Sequence, residues 1–337
     1  MKLPADKVAR LRSVYSGQTV CVTGGTGFIG GHLVDALVSL GATVSVIDDL
    51  SNSTLEHLSG LIELEPERVR FTHASILDDD ALADAAQGAQ IILHLAALGS
   101  VPRSMLEPQR YWSVNATGTL RVLEAARKVS ARRVVFAASS SAYGDQPTLP
   151  KVETQPLNPL SPYAASKIAG EQLLSVWARC YGLSTVSLRY FNVFGPRQPA
   201  DSAYAAVVAA FAKALIAGEP PTIYGDGAQT RDFTYVSNAV LATLLAGASQ
   251  APLSGQVLNV GTARRISIAE LATIMAQQTG QPHLQPAHKP ERAGDVKHSL
   301  ADISAARQLI GYEPVATLEE GLAETVEWYR RSLAGAR

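Results

Sequence analysis

Eight residues constrain this chain more than any others. Thr23-Gly24-Gly25-Thr26-Gly27-Phe28-Ile29-Gly30 stands between a short β-rich run, Gln18 to Val22, and an apolar stretch with helical spacing, His32 to Leu40. Gly25, Gly27 and Gly30 fit G-x-G-x-x-G, while Gly24, Gly27 and Gly30 fit G-x-x-G-x-x-G. Glycines at such a turn let backbone N–H groups approach a pyrophosphate at the start of a helix. A second β-branched run, Thr43 to Ile47, ends at Asp48, eighteen residues past Gly30. An acidic side chain there accepts hydrogen bonds from adenosine ribose hydroxyls and repels a 2′-phosphate, which favours NAD over NADP.

The alternation continues downstream. Strand candidates at Val69–Thr72, Ile91–Leu95, Arg133–Ala137 and Thr185–Arg189 are separated by helical stretches, notably Thr117–Val129 and Tyr163–Tyr181. Strands alternating with long helices predict an α/β fold: a doubly wound (Rossmann) parallel sheet flanked by helices. From about Asn192 the texture changes. Pro196, Pro199, Pro220 and Pro221 break the chain, Ala203–Ala217 reads as an alanine-rich helix, and Val257–Val260 reads as a strand returning to the sheet. Residues 281–297 are expected to be a loop over a cleft. The expected division is a nucleotide-binding domain over 1–192 with a re-entrant segment at about 232–262. A smaller C-terminal α/β substrate domain takes 193–231 and 263–337.

The 337 residues, 47% of them hydrophobic, suffice for two parts with a cleft between them. A net charge of −1 offers no electrostatic attraction for nucleic acid or an anionic membrane, so an anionic substrate must be met by a few placed arginines. No run reaches the length of about eighteen apolar residues that a membrane span needs. Met1 to Gly17 mixes charges and lacks an apolar signal core, from which a cytoplasmic location is expected. Cys21 and Cys180 are expected to be buried thiols, with neither a disulfide nor a metal site.

Tyr163-Ala164-Ala165-Ser166-Lys167 follows Pro162, which suits the first turn of a helix. Residues four apart share a helical face, so Lys167 can lie beside the Tyr163 phenol. A free tyrosine titrates near pH of about 10 and is a poor base. An adjacent ammonium and a cationic nicotinamide would favour the phenolate. Tyr-x-x-x-Lys alone is also a common surface-helix pattern; the glycine fingerprint upstream gives it weight. The Arg133–Ala137 run leads into Ala138-Ser139-Ser140-Ser141, then Tyr143-Gly144. Hydroxyls at a strand's C-terminal end face the ligand crevice of a doubly wound sheet, and one of the three can hold the substrate hydroxyl or relay its proton to Tyr163.

Together these pieces resemble the extended short-chain dehydrogenase/reductases, and within them the nucleotide-sugar 4-epimerases. The resemblance runs from Val20 to about Tyr329. It takes in Asp48-Asp49-Leu50-Ser51-Asn52-Ser53, His94-Leu95-Ala96-Ala97, Asn115-Ala116-Thr117-Gly118-Thr119, Leu188 to Gln198, Gly225-Asp226-Gly227 and Arg231-Asp232-Phe233. Ala97 to Ser104, Tyr143-Gly144-Asp145, Leu149 to Glu153 and Gly294 to Asp302 are similar to bacterial UDP-N-acetylglucosamine 4-epimerases in particular. The resemblance implies NAD held by Gly24, Gly27, Phe28, Ile29, Gly30, Asp48, Asn52, Ser53, Ser75, Ile76, Ala96, Ala97, Asn115, Tyr163, Lys167 and Tyr190. It implies a UDP-sugar held by Ser100, Arg103, Ser141, Asn192, Gln198, Tyr224, Arg231, Arg292, Asp295 and Ser299. Asn192, Arg231 and Arg292 would take the diphosphate, for which a guanidinium fork is suited, and Asp295 the uridine ribose. Family members usually carry an aspartate where Ser75 stands, so the adenine would meet an uncharged acceptor here.

The implied reaction moves a hydride from sugar C4 to NAD and back onto the other face, with Tyr163 taking the 4-hydroxyl proton. The family's 4,6-dehydratases carry Thr-Asp-Glu where this chain has Ser139-Ser140-Ser141, and its decarboxylases usually carry a glutamate at the position of Ser141. Neither chemistry is expected here. Members accepting N-acetyl sugars tend to carry a small residue at the position of Ser299, and those restricted to glucose and galactose a tyrosine. That implies interconversion of UDP-GlcNAc and UDP-GalNAc, with UDP-glucose or UDP-glucuronate epimerisation as alternatives. A non-catalytic nucleotide sensor of the same fold would be expected to lack Tyr163 or Lys167. The resemblance also implies a homodimer joined through Thr117–Val129 and Tyr163–Tyr181.

Overall fold

A computed structural model describes residues 4–200, 206–291 and 296–335. Seven strands form its main sheet: β1 (Thr19–Thr23), β2 (Thr43–Asp48), β3 (Val69–His73), β4 (Ile91–His94), β5 (Arg133–Ser139), β6 (Ser184–Tyr190) and β7 (Ser254–Val260). All pairings are parallel, in the order β7-β6-β5-β4-β1-β2-β3. The order reverses between β1 and β4, which opens a crevice beyond their C-terminal ends. Burial on both faces explains why these strands read as apolar runs rather than as alternating ones.

Most sequence-based boundaries shift by a residue or two, though the helix read from His32 starts at Phe28 and the strand read from Val257 starts at Ser254; three differences change an element or an exposure. The helix expected over Thr117–Val129 begins one turn earlier as a π-turn, Ser113–Thr117, before Gly118–Lys128 continues as an α-helix. Within the expected 281–297 loop, Ala287–Lys289 pairs parallel to Thr222–Tyr224; three residues are too few to show a period. Cys180 is exposed while Cys21 is buried, because Cys180 lies on the outer side of the Pro162–Tyr181 helix. Of the alanine-rich helix, Val207–Ile216 is described; residues 201–205 lie outside the described residues.

The strand at 257–260 does re-enter the sheet, as the β7 edge beside β6. Between β6 and β7 the chain makes Val207–Ile216 and Val236–Ala248, the second helix buried along its whole length. One apolar cluster runs from Leu33 and Leu37 through Val240 and Leu244 to Leu271 and Leu322. The C-terminal elements and the sheet therefore share a continuous core. Among the described residues, no helix is long and apolar enough to cross a membrane.

Candidate active site

The glycine turn is shaped by close approach. Gly24 has φ +73°, and a Cβ there would stand 2.6 Å from the Ala96 backbone nitrogen, across the β1/β4 crevice. A Cβ on Gly30 would come within 2.1 Å of the Gly24 carbonyl oxygen. Only glycine lets the helix Phe28–Ser39 start against the turn, with Gly27 at its N-cap. Asp48 braces the same turn: Oδ2 accepts from Thr26 N–H at 3.1 Å, and Oδ1 accepts from Leu50 N–H at 3.0 Å.

A cavity of about 100 Å³ opens here, lined by Gly24, Gly27, Asp48, Asn52, Ser53, Ser75, Ile76, Ala96 and Ala97. Asp49, Ser51, Leu98 and Val114 also line it and were not singled out from the sequence. The Ser75 hydroxyl accepts from Leu77 N–H at 3.2 Å. Asn115 sits behind this wall, 1% exposed, with its amide exchanging hydrogen bonds with Leu98 and donating to Ser166. Glycine turn, helix N-terminus and ribose-height carboxylate fit an adenine dinucleotide without a 2′-phosphate.

A second, larger cavity of about 630 Å³ adjoins it. Phe28, Ile29, Ser139, Ser140, Ser141, Tyr163, Tyr190, Asn192, Gln198, Arg231 and Ser299 line it, so side chains from six segments converge. Ser161 caps the Pro162–Tyr181 helix through Ala164 N–H at 3.1 Å, and this fixes where Tyr163 enters the cavity. The Ser141 hydroxyl donates to Ser139 Oγ at 2.8 Å, and Ser139 is the serine whose hydroxyl acts on the Tyr163 phenol, drawing its pKa down. Of the three serines, Ser139 thus contacts the tyrosine, with Ser141 behind it.

Tyr163 departs from expectation. Burial raises its pKa, opposed by the Ser139 hydrogen bond, and Lys167 does not offset the rise. The Lys167 ammonium instead lies 4.1 Å from the Phe136 ring centroid, and burial lowers its pKa to about 7 while Glu171 pulls it up. Glu171 is itself bound bidentately by Arg189, at 2.8 and 2.7 Å. Nothing in the sequence pattern marked this buried pair as part of the site.

The other expected sugar-nucleotide residues divide. Asn192, with φ +35°, donates to the Asp232 carbonyl at 3.1 Å. Arg231 is 8% exposed and donates to the carbonyls of Thr230 and Lys297. Asp232 is pushed up to about 6 by burial and accepts from Thr262, Ala263 and Ala301, tying the Arg231 segment to the one carrying Ser299. Tyr224 lines a separate hollow of about 210 Å³ with Asp226, Gln229 and His298. Ser100 caps a short helix, its hydroxyl accepting from Arg103 N–H at 3.3 Å. Arg103 is not brought into either cavity: it is exposed and pairs with Glu107 at 3.1 Å, because it falls on the outer face of that helix. Arg292 and Asp295 lie outside the described residues.

A doubly wound sheet with a dinucleotide cradle and a Tyr/Lys/Ser cluster at its switch point defines an oxidoreductive, nucleotide-dependent enzyme. Comparison with known proteins makes this specific. The model of the NAD dependent epimerase/dehydratase family matches residues 20–261, and the chain belongs to that family. It is 41% identical over 311 residues to the UDP-glucose 4-epimerase of Mycolicibacterium smegmatis, covering 92% of this chain and 97% of that one. It is 34% identical over 319 residues to the UDP-glucuronate 4-epimerase of Thermodesulfobacterium geofontis, covering 93% and 96%. Among solved structures it resembles the UDP-N-acetylglucosamine 4-epimerase from Methanobrevibacter ruminantium M1 in complex with UDP-N-acetylmuramic acid. That match has a TM-score of 0.89 and 39% identity, over 94% of this chain and 99% of that one. The chain is an NAD-dependent epimerase of nucleotide sugars.

Proposed function

We propose that this enzyme interconverts UDP-GlcNAc and UDP-GalNAc by inverting C4, working in the cytoplasm as a homodimer. The observation that carries the sugar assignment is Ser299, 8% exposed, lining the same cavity as Tyr163 and Ser139. A hydroxymethyl group there leaves space for a 2-acetamido group and can hydrogen-bond it. NAD, held by the cradle, would supply the hydride acceptor and donor for C4. The protein residues do the rest: Tyr163 takes the 4-hydroxyl proton, and Ser139 hydrogen-bonds the phenol during the transfer. Lys167, one helical turn past Tyr163, would supply positive charge favouring the phenolate when the cofactor is bound. Asn192, Gln198 and Arg231 anchor the diphosphate, with Arg292 and Asp295 completing the grip, so that the 4-keto sugar can turn while its nucleotide stays fixed. Three hydroxyls at 139–141 provide no carboxyl acid or base, which supports epimerisation without elimination.

A second reading, epimerisation of UDP-glucose and UDP-galactose, is favoured by the 41% identity to the mycobacterial relative. Measuring kcat/KM on all four sugars with the wild type and Ser299→Tyr separates the two. The acetylated pair should dominate in the wild type and be lost in the variant, while UDP-glucose and UDP-galactose are spared. Unchanged acetylated-sugar activity in Ser299→Tyr overturns the assignment. The dimer rests on exposed apolar side chains, Trp112 on one short helix and Val176 and Tyr181 on the Pro162–Tyr181 helix. Light scattering that returns a monomer mass at micromolar concentration removes it.

A further inference from the structure

His94 ends β4 with no exposed surface, pressed against Phe136 at a ring distance of 5.3 Å. Nδ1 is 2.7 Å from the Thr23 hydroxyl and Nε2 is 3.0 Å from the Thr119 hydroxyl. The proton directions follow by elimination. Thr119 has one hydroxyl proton and gives it to the Asn115 carbonyl at 2.6 Å, so His94 Nε2–H must donate to Thr119. Burial, helped by the nearby Lys167 charge, lowers the His94 pKa to about 3 and keeps the ring neutral. Nδ1 is then an acceptor, Thr23 donates to it, and Thr23 Oγ1 in turn accepts from Ala96 N–H at 3.2 Å.

Two hydrogen-bonded runs meet at Asn115: one passes from Ala96 N–H through Thr23, His94 and Thr119 and ends on the Asn115 backbone carbonyl, and the other starts from the Asn115 side-chain amide. At one end are Thr23 and Ala96, whose neighbour Gly24 forms the dinucleotide turn. At the other, the Asn115 amide donates to Ser166 Oγ at 3.0 Å, and Ser166 donates to the Tyr163 carbonyl at 2.8 Å. The π-turn at Ser113–Thr117 is what brings Asn115 inward to join them.

We propose that His94 is a positioning residue that sets the Tyr163 turn of the catalytic helix in register with the dinucleotide cradle, using its two ring nitrogens for two separable tasks. The Nδ1 side holds the cradle and the Nε2 side holds the tyrosine. The inference rests on the epimerase reading only for its turnover arm.

The two sides can be cut independently. Asparagine places its Oδ1 near the position of Nδ1, so His94→Asn keeps the bond from Thr23 and loses the one to Thr119. Glutamine places its amide nitrogen near Nε2, so His94→Gln does the reverse. His94→Asn should lower kcat about tenfold or more with the NAD⁺ Kd within about twofold, the loss expected for one buried hydrogen bond. His94→Gln should raise the NAD⁺ Kd by about tenfold and leave kcat at saturating cofactor within about threefold. Kd is read by calorimetry without sugar, kcat with UDP-GlcNAc, and folding by thermal melts. Should either variant fail to fold, Thr119→Val cuts the tyrosine side and Thr23→Val the cradle side from the far ends. A purely structural histidine predicts that all variants lose cofactor affinity and turnover in the same ratio, or lose neither, and that result overturns the proposal. If the wild type epimerises no UDP-sugar, the functional reading falls while the Asn-against-Gln contrast in NAD⁺ affinity still decides this one.

Discussion

The two cavities of this enzyme are built on opposite plans. The dinucleotide cradle is small and braced by the protein: Asp48 holds two backbone amides, Asn115 and His94 are satisfied behind the wall, and Gly24 and Gly30 leave no room for a Cβ beside neighbouring backbone. The adjoining cavity is several times larger, and its lining mixes hydroxyls, amides, aromatic rings and one guanidinium from separate segments of the chain. A cofactor that stays bound through every cycle needs a preorganised seat. A sugar that must turn over needs room, with its grip placed elsewhere, on the nucleotide. Preorganisation and room are physically opposed, which explains why they are assigned to different ends of one crevice.

That contrast can be broken most severely at the cradle. Gly30→Ala forces a Cβ against the Gly24 carbonyl, so NAD⁺ binding measured by calorimetry should be lost altogether. On the other side, Tyr163→Phe should cut turnover by about 10³-fold while the NAD⁺ Kd stays within twofold or so, because only the proton acceptor is removed. Wild-type rates in that variant would falsify the proton transfer. Glu171→Gln, in the buried pair behind Lys167, leaves the Arg189 charge uncompensated and should destabilise the fold by about 3–5 kcal/mol in urea unfolding. Equal stability would mean that the pair has no structural weight.

Smaller effects sharpen the comparison. Ser139→Ala should slow turnover more than Ser140→Ala, since Ser139 is the serine whose hydroxyl acts on the Tyr163 phenol; equal rates would return the relay to either hydroxyl. Lys167 offers a pH test on the cofactor-free protein. Its folded pKa, about 7, lies below the ordinary 10.5, so the unfolded chain binds more protons between those values. Stability of the wild type relative to Lys167→Met should therefore rise with pH through that window, by up to a few kcal/mol. A flat difference would show that the ammonium is not desolvated.

The cradle was legible and the larger cavity was only partly so. Gly24 to Gly30 and Asp48 form a local pattern, contiguous or one strand apart, and a turn needing backbone approach can be met by few residue types. Tyr163 and Lys167 were legible for a similar reason, a fixed helical spacing. Arg103 lies outside both cavities, because a motif fixes residue order but not which face of a short helix points inward. Cys180 likewise took its exposure from the helix face.

The amino-acid sequence by itself determined the parallel α/β sheet, the switch-point turn, the preference for an uncharged ribose 2′ position and the Tyr/Lys spacing, because each depends on periodicity or backbone geometry within a short stretch. Only the tertiary structure decided which serine meets Tyr163, that Lys167 lies over Phe136 with Glu171 and Arg189 beneath, and that His94 joins Thr23 to Thr119. These are contacts between residues up to 71 positions apart, on strands and helices whose proximity comes from the sheet order, and hydrogen-bond direction exists only once both partners are in place.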